Sequence, residues 1–276
     1  MLIKLAKFLT STSLLLALDG PIILVFGYLL YGVQINFEML GASFCAVFAI
    51  YSLNKATDKA EDKINRPETA TKSSAYYIVP AIAALALCFI LGAMVSPFAV
   101  AILATPIIIG VLYSIQIVKS VPRFKEITGA KSLVVAFSWS LYGTFLPLAL
   151  QSTEFEKVVL VFAYVFMQVF VNTVLFDYLD MKGDSAMGVK TLPIVLGKDG
   201  TKRLLIFANS ALGLWLAFCV YGGIFMKFIP ALTFGVGYGY AIIWHFLRQD
   251  QPRLRAELMI DGQWFPIVAF MKIIIR

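Results

Sequence analysis

The chain has 276 residues, 60% of them hydrophobic and only 14% charged, with a mean hydropathy of +0.85. Soluble domains carry roughly 25% charged residues, so a shortfall spread over the whole length excludes an ordinary soluble domain and points to a polytopic membrane protein. The net charge of +7 then reads as basic loops on one membrane face, and no nucleic-acid partner is expected.

The opening "LIKLAKFL" sets Lys4 and Lys7 among apolar residues and reads as a short interfacial helix, with no cleavable signal peptide expected. Apolar runs able to cross a bilayer follow near 12–33, 38–55, 76–95, 97–117, 131–150, 157–178, 203–225 and 228–247, with a shorter one at 263–275. They are continuous, not alternating, so strands are excluded. The fold class is all-α, a polytopic membrane bundle of about nine transmembrane helices forming a single domain over 1–276. Cys45, Cys88 and Cys219 lie inside apolar runs and read as small buried hydrophobes.

The connections alternate. Those near 34–37, 96, 151–156 and 226–227 are short and almost free of Lys and Arg. The even-numbered ones, with the N-terminal Lys4 and Lys7, hold 19 of the 23 basic residues. The positive-inside rule puts that face, and the N-terminus, in the cytoplasm of an integral, plasma-membrane protein. Chemistry is expected there, with loops 54–75, 118–131 and 177–202 forming a cap.

Two of these loops carry acidic patterns. Asn54, Asp58 and Asp62 are spaced i, i+4, i+8 and share one helical stripe. Glu61, Lys55, Lys59 and Lys63 fall off it and read as solvated charge. The second pattern, "DYLDMKGD", gives Asp177, Asp180 and Asp184 on one face if the helix persists, although Gly183 weakens its last turn. Four spans separate the two patterns, a weak two-fold echo. Carboxylate stripes facing across a bundle repel unless a divalent cation lies between them. With oxygen ligands and no nearby His or Cys, Mg²⁺ is favoured over Zn²⁺, and Mg²⁺ shares its coordination with water and phosphate oxygens. A diphosphate ligand follows.

Tyr113, Ser114, Lys119, Arg123, Lys125 and Lys131 gather on the same face. Most satisfy topology alone; one or two, with Arg66 or Lys190, suit the oxygens of a diphosphate. Asp19 lies inside the first span beside Gly20-Pro21. It is a functional candidate, or it satisfies the backbone that Pro21 leaves open.

These motifs resemble the UbiA superfamily of intramembrane prenyltransferases. The first reads "NKATDKAED" and runs into "KINRP"; the second reads "DYLDMKGDSAMGVKTLPIVLG". "YS" before the lysines of the fourth loop and "DGQW" near the C-terminus also fit, so the resemblance covers nearly the whole chain. It implies two Mg²⁺ ions, with Asn54, Asp58 and Asp62 on one side, and Asp180 and Asp184, assisted by Asp177, on the other. It further implies an isoprenyl diphosphate donor that ionises at C1 and a lipophilic acceptor: a quinone precursor, a tetrapyrrole or a glycerol-phosphate lipid. Members acting on aromatic acids often continue "NRP" as R-P-L-x-x-G; here the chain reads "NRPETATKSS", which tilts away from such acceptors. A cation-coupled secondary transporter is the alternative. It would place its charges near the bilayer midplane, on broken helices.

Overall fold

The computed structural model describes residues 2–66, 71–114, 127–248 and 252–275. Its helices are α1 (Leu2–Ser11), α2 (Leu14–Tyr31), α3 (Phe37–Thr57), α4 (Lys59–Asn65), α5 (Ser74–Val95), α6 (Pro97–Ser114) and α7 (Ala130–Phe145). They continue with α8 (Phe155–Leu179), α9 (Met181–Ala186), α10 (Leu192–Tyr221), α11 (Ile229–Arg248), α12 (Arg253–Ile260) and α13 (Trp264–Ile275). Among the described residues there is no strand, as the continuous apolar runs require.

Seven helical segments have the length and hydropathy to cross a membrane: α2, α3, α5, α8, α10, Met226–Arg248 and Arg253–Ile275. Helices stand at the two other expected positions, α6 with 18 residues and α7 with 16. Among the described residues seven segments, not nine, meet the length and hydropathy of a span. Two boundaries also differ from expectation. Helix α10 begins at Leu192, with Pro193 in its first turn, and kinks at Gly197 (φ 64°, ψ −177°). The last span begins at Arg253, because α12, the 3₁₀ turn Asp261–Gln263 and α13 run on from one another. Both starts were hidden by polar residues.

The outer faces are apolar. Val79, Ile82, Ile90 and Met94 of α5, and Phe207, Leu214 and Phe218 of α10, are exposed, as suits lipid contact. Inside, Phe26 of α2 stacks on Tyr164 of α8 and meets Trp264 edge-on, each at 5.3 Å, while Tyr164 meets Trp215 of α10 at 5.0 Å. The Tyr164 hydroxyl donates to the Leu232 carbonyl (3.1 Å), which ties α11 to the same knot. Small residues let backbones approach. A Cβ on Gly27 would strike the Gly143 carbonyl, and one on Gly143 would lie 2.6 Å from Ile23 Cγ2. Helix α2 thus rests directly on α7, and both reach the same end of the bundle as the acidic ends of α3 and α8.

Replacing Gly27 with Leu should force α2 and α7 apart. Overpacking of this kind costs about 1–3 kcal/mol, a Tm drop of roughly 2–10 °C for a chain this size. Thermal unfolding in detergent would detect it, and an unchanged Tm would contradict the close approach.

Candidate active site

Each acidic pattern is built on a broken helix. Helix α3 stops at Thr57; Asp58 (φ −90°, ψ 27°) caps it and opens α4. The i→i−4 bonds persist across the break: the Asp58, Asp62 and Arg66 amides donate to the Asn54, Asp58 and Asp62 carbonyls at 2.8, 2.9 and 2.7 Å. The second pattern repeats this design. Asp180 (φ −93°, ψ 1°) closes α8 and opens α9, with the Asp180 and Asp184 amides donating to the Phe176 and Asp180 carbonyls at 2.9 and 3.0 Å. The expected straight stripes are thus bent at their middle aspartates, which sit in the bridge region between α and β. Both middle aspartates line the same cavity.

Asn65 joins the two bends. Its Nδ2 donates to the Asp180 carbonyl (3.3 Å) and its Oδ1 accepts from the Gly183 amide (3.1 Å). A Cβ at position 183 would collide with the Asn65 amide, so the Gly183 that weakens the helix in isolation is what lets α4 close on α9.

The bends open on one cavity of about 210 Å³, whose wall includes seven aspartates: Asp19, Asp58, Asp62, Asp177, Asp180, Asp184 and Asp261. Basic groups thread between them. Lys131 Nζ lies 2.9 Å from Asp177 Oδ1 and 3.3 Å from Asp184 Oδ2, and Ser132 Oγ donates to Asp177 Oδ2 (2.7 Å). Arg253 forks onto Asp180 at 2.5 and 3.2 Å. Glu257 lies 3.2 Å from Arg253 and 3.4 Å from Arg66. Burial pushes the Asp184 carboxyl up to about 6; Lys131 opposes the rise, and Asp177 and Asp180 add to it.

Of the residues expected from sequence, Asn54, Asp58, Asp62, Arg66, Lys131, Asp177, Asp180 and Asp184 all reach this wall. Lys190 does not; it is exposed. Tyr113 and Ser114 close α6, but their side chains, like all of Lys119, Arg123 and Lys125, lie outside the described residues. Lys55 corrects an expectation. It is not solvated but 5% exposed, because α1 lies across it and Thr10 accepts its proton at 2.6 Å. Lys59 and Lys63 remain outside the wall. Sequence reasoning missed Asn65, Tyr51, Arg253 and Asp261 as site residues. Arg253 and Glu257 do show an i, i+4 pairing after Pro252, and Asp261 lies in "DGQW".

The oxygen-only donor set suits a hard cation. Among the described residues no three His, Cys, Asp or Glu side chains stand close enough to hold an ion unaided. That fits an ion completing its coordination with ligand and water oxygens.

The model of the UbiA prenyltransferase family matches residues 8–272. The chain belongs to that family. No curated protein matches it. Among solved structures, a UbiA homologue from Archaeoglobus fulgidus bound to GPP and Mg²⁺ is 15% identical, with TM-score 0.69, covering 95% of this chain and 99% of that one. A UbiA homologue from Aeropyrum pernix K1 in its apo form is also 15% identical, with TM-score 0.68 and coverage of 93% and 96%. A digeranylgeranylglyceryl phosphate synthase is 17% identical, with TM-score 0.56 and coverage of 98% and 95%. At such identities these neighbours establish the UbiA fold and leave this chain's substrate to its own residues.

Two predictions follow from the geometry of this UbiA site. Asn65→Ala and Gly183→Ala should each destabilise by about 1–2 kcal/mol, and the double variant by clearly less than the sum; a double-mutant cycle measures the shortfall. The second concerns the metal-free protein. Asp184 has a folded pKa above the ordinary aspartate value of 3.8, so the stability it lends is present below about pH 4 and lost as pH rises through about 6. Asp184→Asn should therefore raise stability at pH 7.5 in EDTA by about 1–3 kcal/mol, with no gain at pH 4. Equal effects at both pH values would refute this.

Proposed function

We propose that this UbiA-family protein transfers an isoprenyl group from an isoprenyl diphosphate to a lipophilic acceptor inside the membrane, with Mg²⁺ as cofactor. The observation that carries this reading is the pair of acidic bends, clamped face to face by Asn65 across one cavity. The Archaeoglobus fulgidus homologue, with GPP and Mg²⁺ bound, supports it. Asn54, Asp58 and Asp62 would hold one ion, and Asp180 and Asp184, with Asp177, the other. When bound, Mg²⁺ stabilises the negative charge that grows on the leaving diphosphate.

The chain's own residues account for the rest. Lys131, Arg66 and Arg253 stand among the aspartates and release donors to diphosphate oxygens as the carboxylates turn to metal. The C1–O bond of the donor breaks with its electron pair going to the diphosphate, and the acceptor's nucleophilic atom adds to C1 and gives up its proton to a diphosphate oxygen. Leu16, Ile23, Val135, Val169, Trp139 and Trp264 line the wall away from the aspartates and exclude water that would capture the allylic cation. The whole chain acts as one domain, with loops 54–75, 118–131 and 177–202 as a cap on the cytoplasmic face. The acceptor is a quinone precursor, a tetrapyrrole or a glycerol-phosphate lipid. A transporter reading wants charge at mid-bilayer, whereas the charges here cluster where α3 and α8 end.

The test is to incubate membranes carrying the protein with a labelled isoprenyl diphosphate, Mg²⁺ and an acceptor panel, and to follow diphosphate release and product mass. EDTA should stop turnover. Asp58→Ala and Asp180→Ala should each lower transfer by at least ~10³-fold while the thermal melt stays cooperative. Full activity in either variant would defeat the metal assignment, and no turnover with any donor would defeat the reading itself.

A further inference from the structure

The cavity continues well past the acidic bends. Tyr51 precedes Asp58 by seven residues on α3, and Asn172 precedes Asp180 by eight on α8. At 1.5 Å per residue they sit ~10–12 Å deeper than Asp58 and Asp180, and Asn172 about 7.5 Å deeper than Asp177. They line the same cavity as Asp19, which is within Coulombic reach of Asp261. This inner end is too far away to share the ligands of one ion with Asp58 or Asp180, so its polar groups need another explanation.

Their hydrogen bonding supplies one. Asp19 is 2% exposed and Asn172 7%, and in each the Oδ1 atom is buried with no partner. Asn172 Nδ2 donates to the Ile260 carbonyl (3.1 Å), which fixes the amide so that its oxygen is the free end. The inner donors are committed elsewhere. Trp139 Nε1 donates to the Tyr51 hydroxyl (3.1 Å), and Lys55 Nζ to the Thr10 carbonyl (2.6 Å). What remains is two orphaned acceptor oxygens and one O–H, that of Tyr51. Buried acceptors left unpaired are costly, and they are retained where a ligand satisfies them.

A hydroxyl group complements this set, since it donates a proton and accepts another. A carboxylate or phosphate accepts only; it would leave the Asn172 oxygen orphaned and would bring a charge into the buried inner end beside Asp19 and Asp261. Trp139 and Trp264 supply flat apolar walls beside the polar groups.

We infer that the inner end is the acceptor subsite, and that Asp19, Asn172 and Tyr51 select an uncharged, hydroxyl-bearing lipophilic acceptor over one whose entering head is anionic. The inference rests on the prenyl-transfer reading and narrows its acceptor. Of the two roles open to Asp19, this inference takes the functional one: its unpaired Oδ1 serves the ligand.

The full-length protein is assayed in membranes with Mg²⁺, labelled geranyl diphosphate and two matched acceptor pairs: 1-naphthol against 1-hydroxy-2-naphthoic acid, and a monoalkylglycerol against its phosphate. Donor affinity is measured separately by retention of the label. The uncharged member should be favoured at least tenfold in kcat/KM in one pair or both. Asp19→Asn, whose amide can turn its NH₂ toward an anion, should shrink that preference at least fivefold. Asn172→Leu should raise KM for the uncharged acceptor at least fivefold, with donor affinity held within twofold in both variants. Equal or better use of the anionic members, transfer to no member despite diphosphate release, or a preference untouched by both substitutions would overturn the inference while leaving prenyl transfer intact. Failure of the native protein to bind donor or release diphosphate would instead overturn the parent reading, and this inference with it.

Discussion

Repulsion among carboxylates is the constraint around which the site end of this bundle is organised. Seven aspartates border one small cavity in a protein surrounded by lipid, where little water screens them. Left to Coulomb's law, α4 and α9 would part. Three devices hold them. Lys131 bridges Asp177 and Asp184, Arg253 forks onto Asp180, and Asn65 grips the backbone of the opposite bend. The last is independent of charge, so it would survive the exchange of a cationic side chain for a metal ion that the proposed function calls for. The rest of the fold follows from keeping those bends in place: the Gly27–Gly143 approach that seats α2 on α7, and the Phe26, Tyr164 and Trp264 knot beneath.

Much of this could be read from the chain. Continuous apolar runs carry the helix class with little ambiguity, because no strand pattern competes with them. The aspartates are legible since their spacing maps onto helix geometry even across a bend; the i→i−4 bonds continue through Asp58 and Asp180, so the periodicity hides the break. That is also why the bends themselves went unseen. Lys55 was misplaced because its burial depends on α1 folding back over it, a contact between residues 45 apart. Asn65 and Arg253 were missed for the same reason: their partners lie 115 and 73 residues away. The early starts of α10 and of the last span were masked by Lys198, Asp199, Arg253 and Glu257, which hydropathy reads as loop and the fold accepts at a helix end.

The cavity divides its labour along the helix axes. Its mouth is ionic and holds its charges in pairs that can be re-partnered. Its inner end is almost free of ion pairs and offers fixed hydrogen-bonding atoms among aromatic walls. The two-fold echo between the halves of the chain extends to the mouth only, where Asp58 and Asp180 play matching parts.

The charged groups of the cavity belong to one end of the bundle: the start of α2 and α7, the ends of α3 and α8, and α12 with the turn after it. A transmembrane potential does about 2.3 kcal/mol of work per elementary charge per 100 mV, but only for charge carried across the full barrier. On the proposed prenyl-transfer reading, a diphosphate entering and leaving at this end would cross little of that field, so the reaction would be electrically silent.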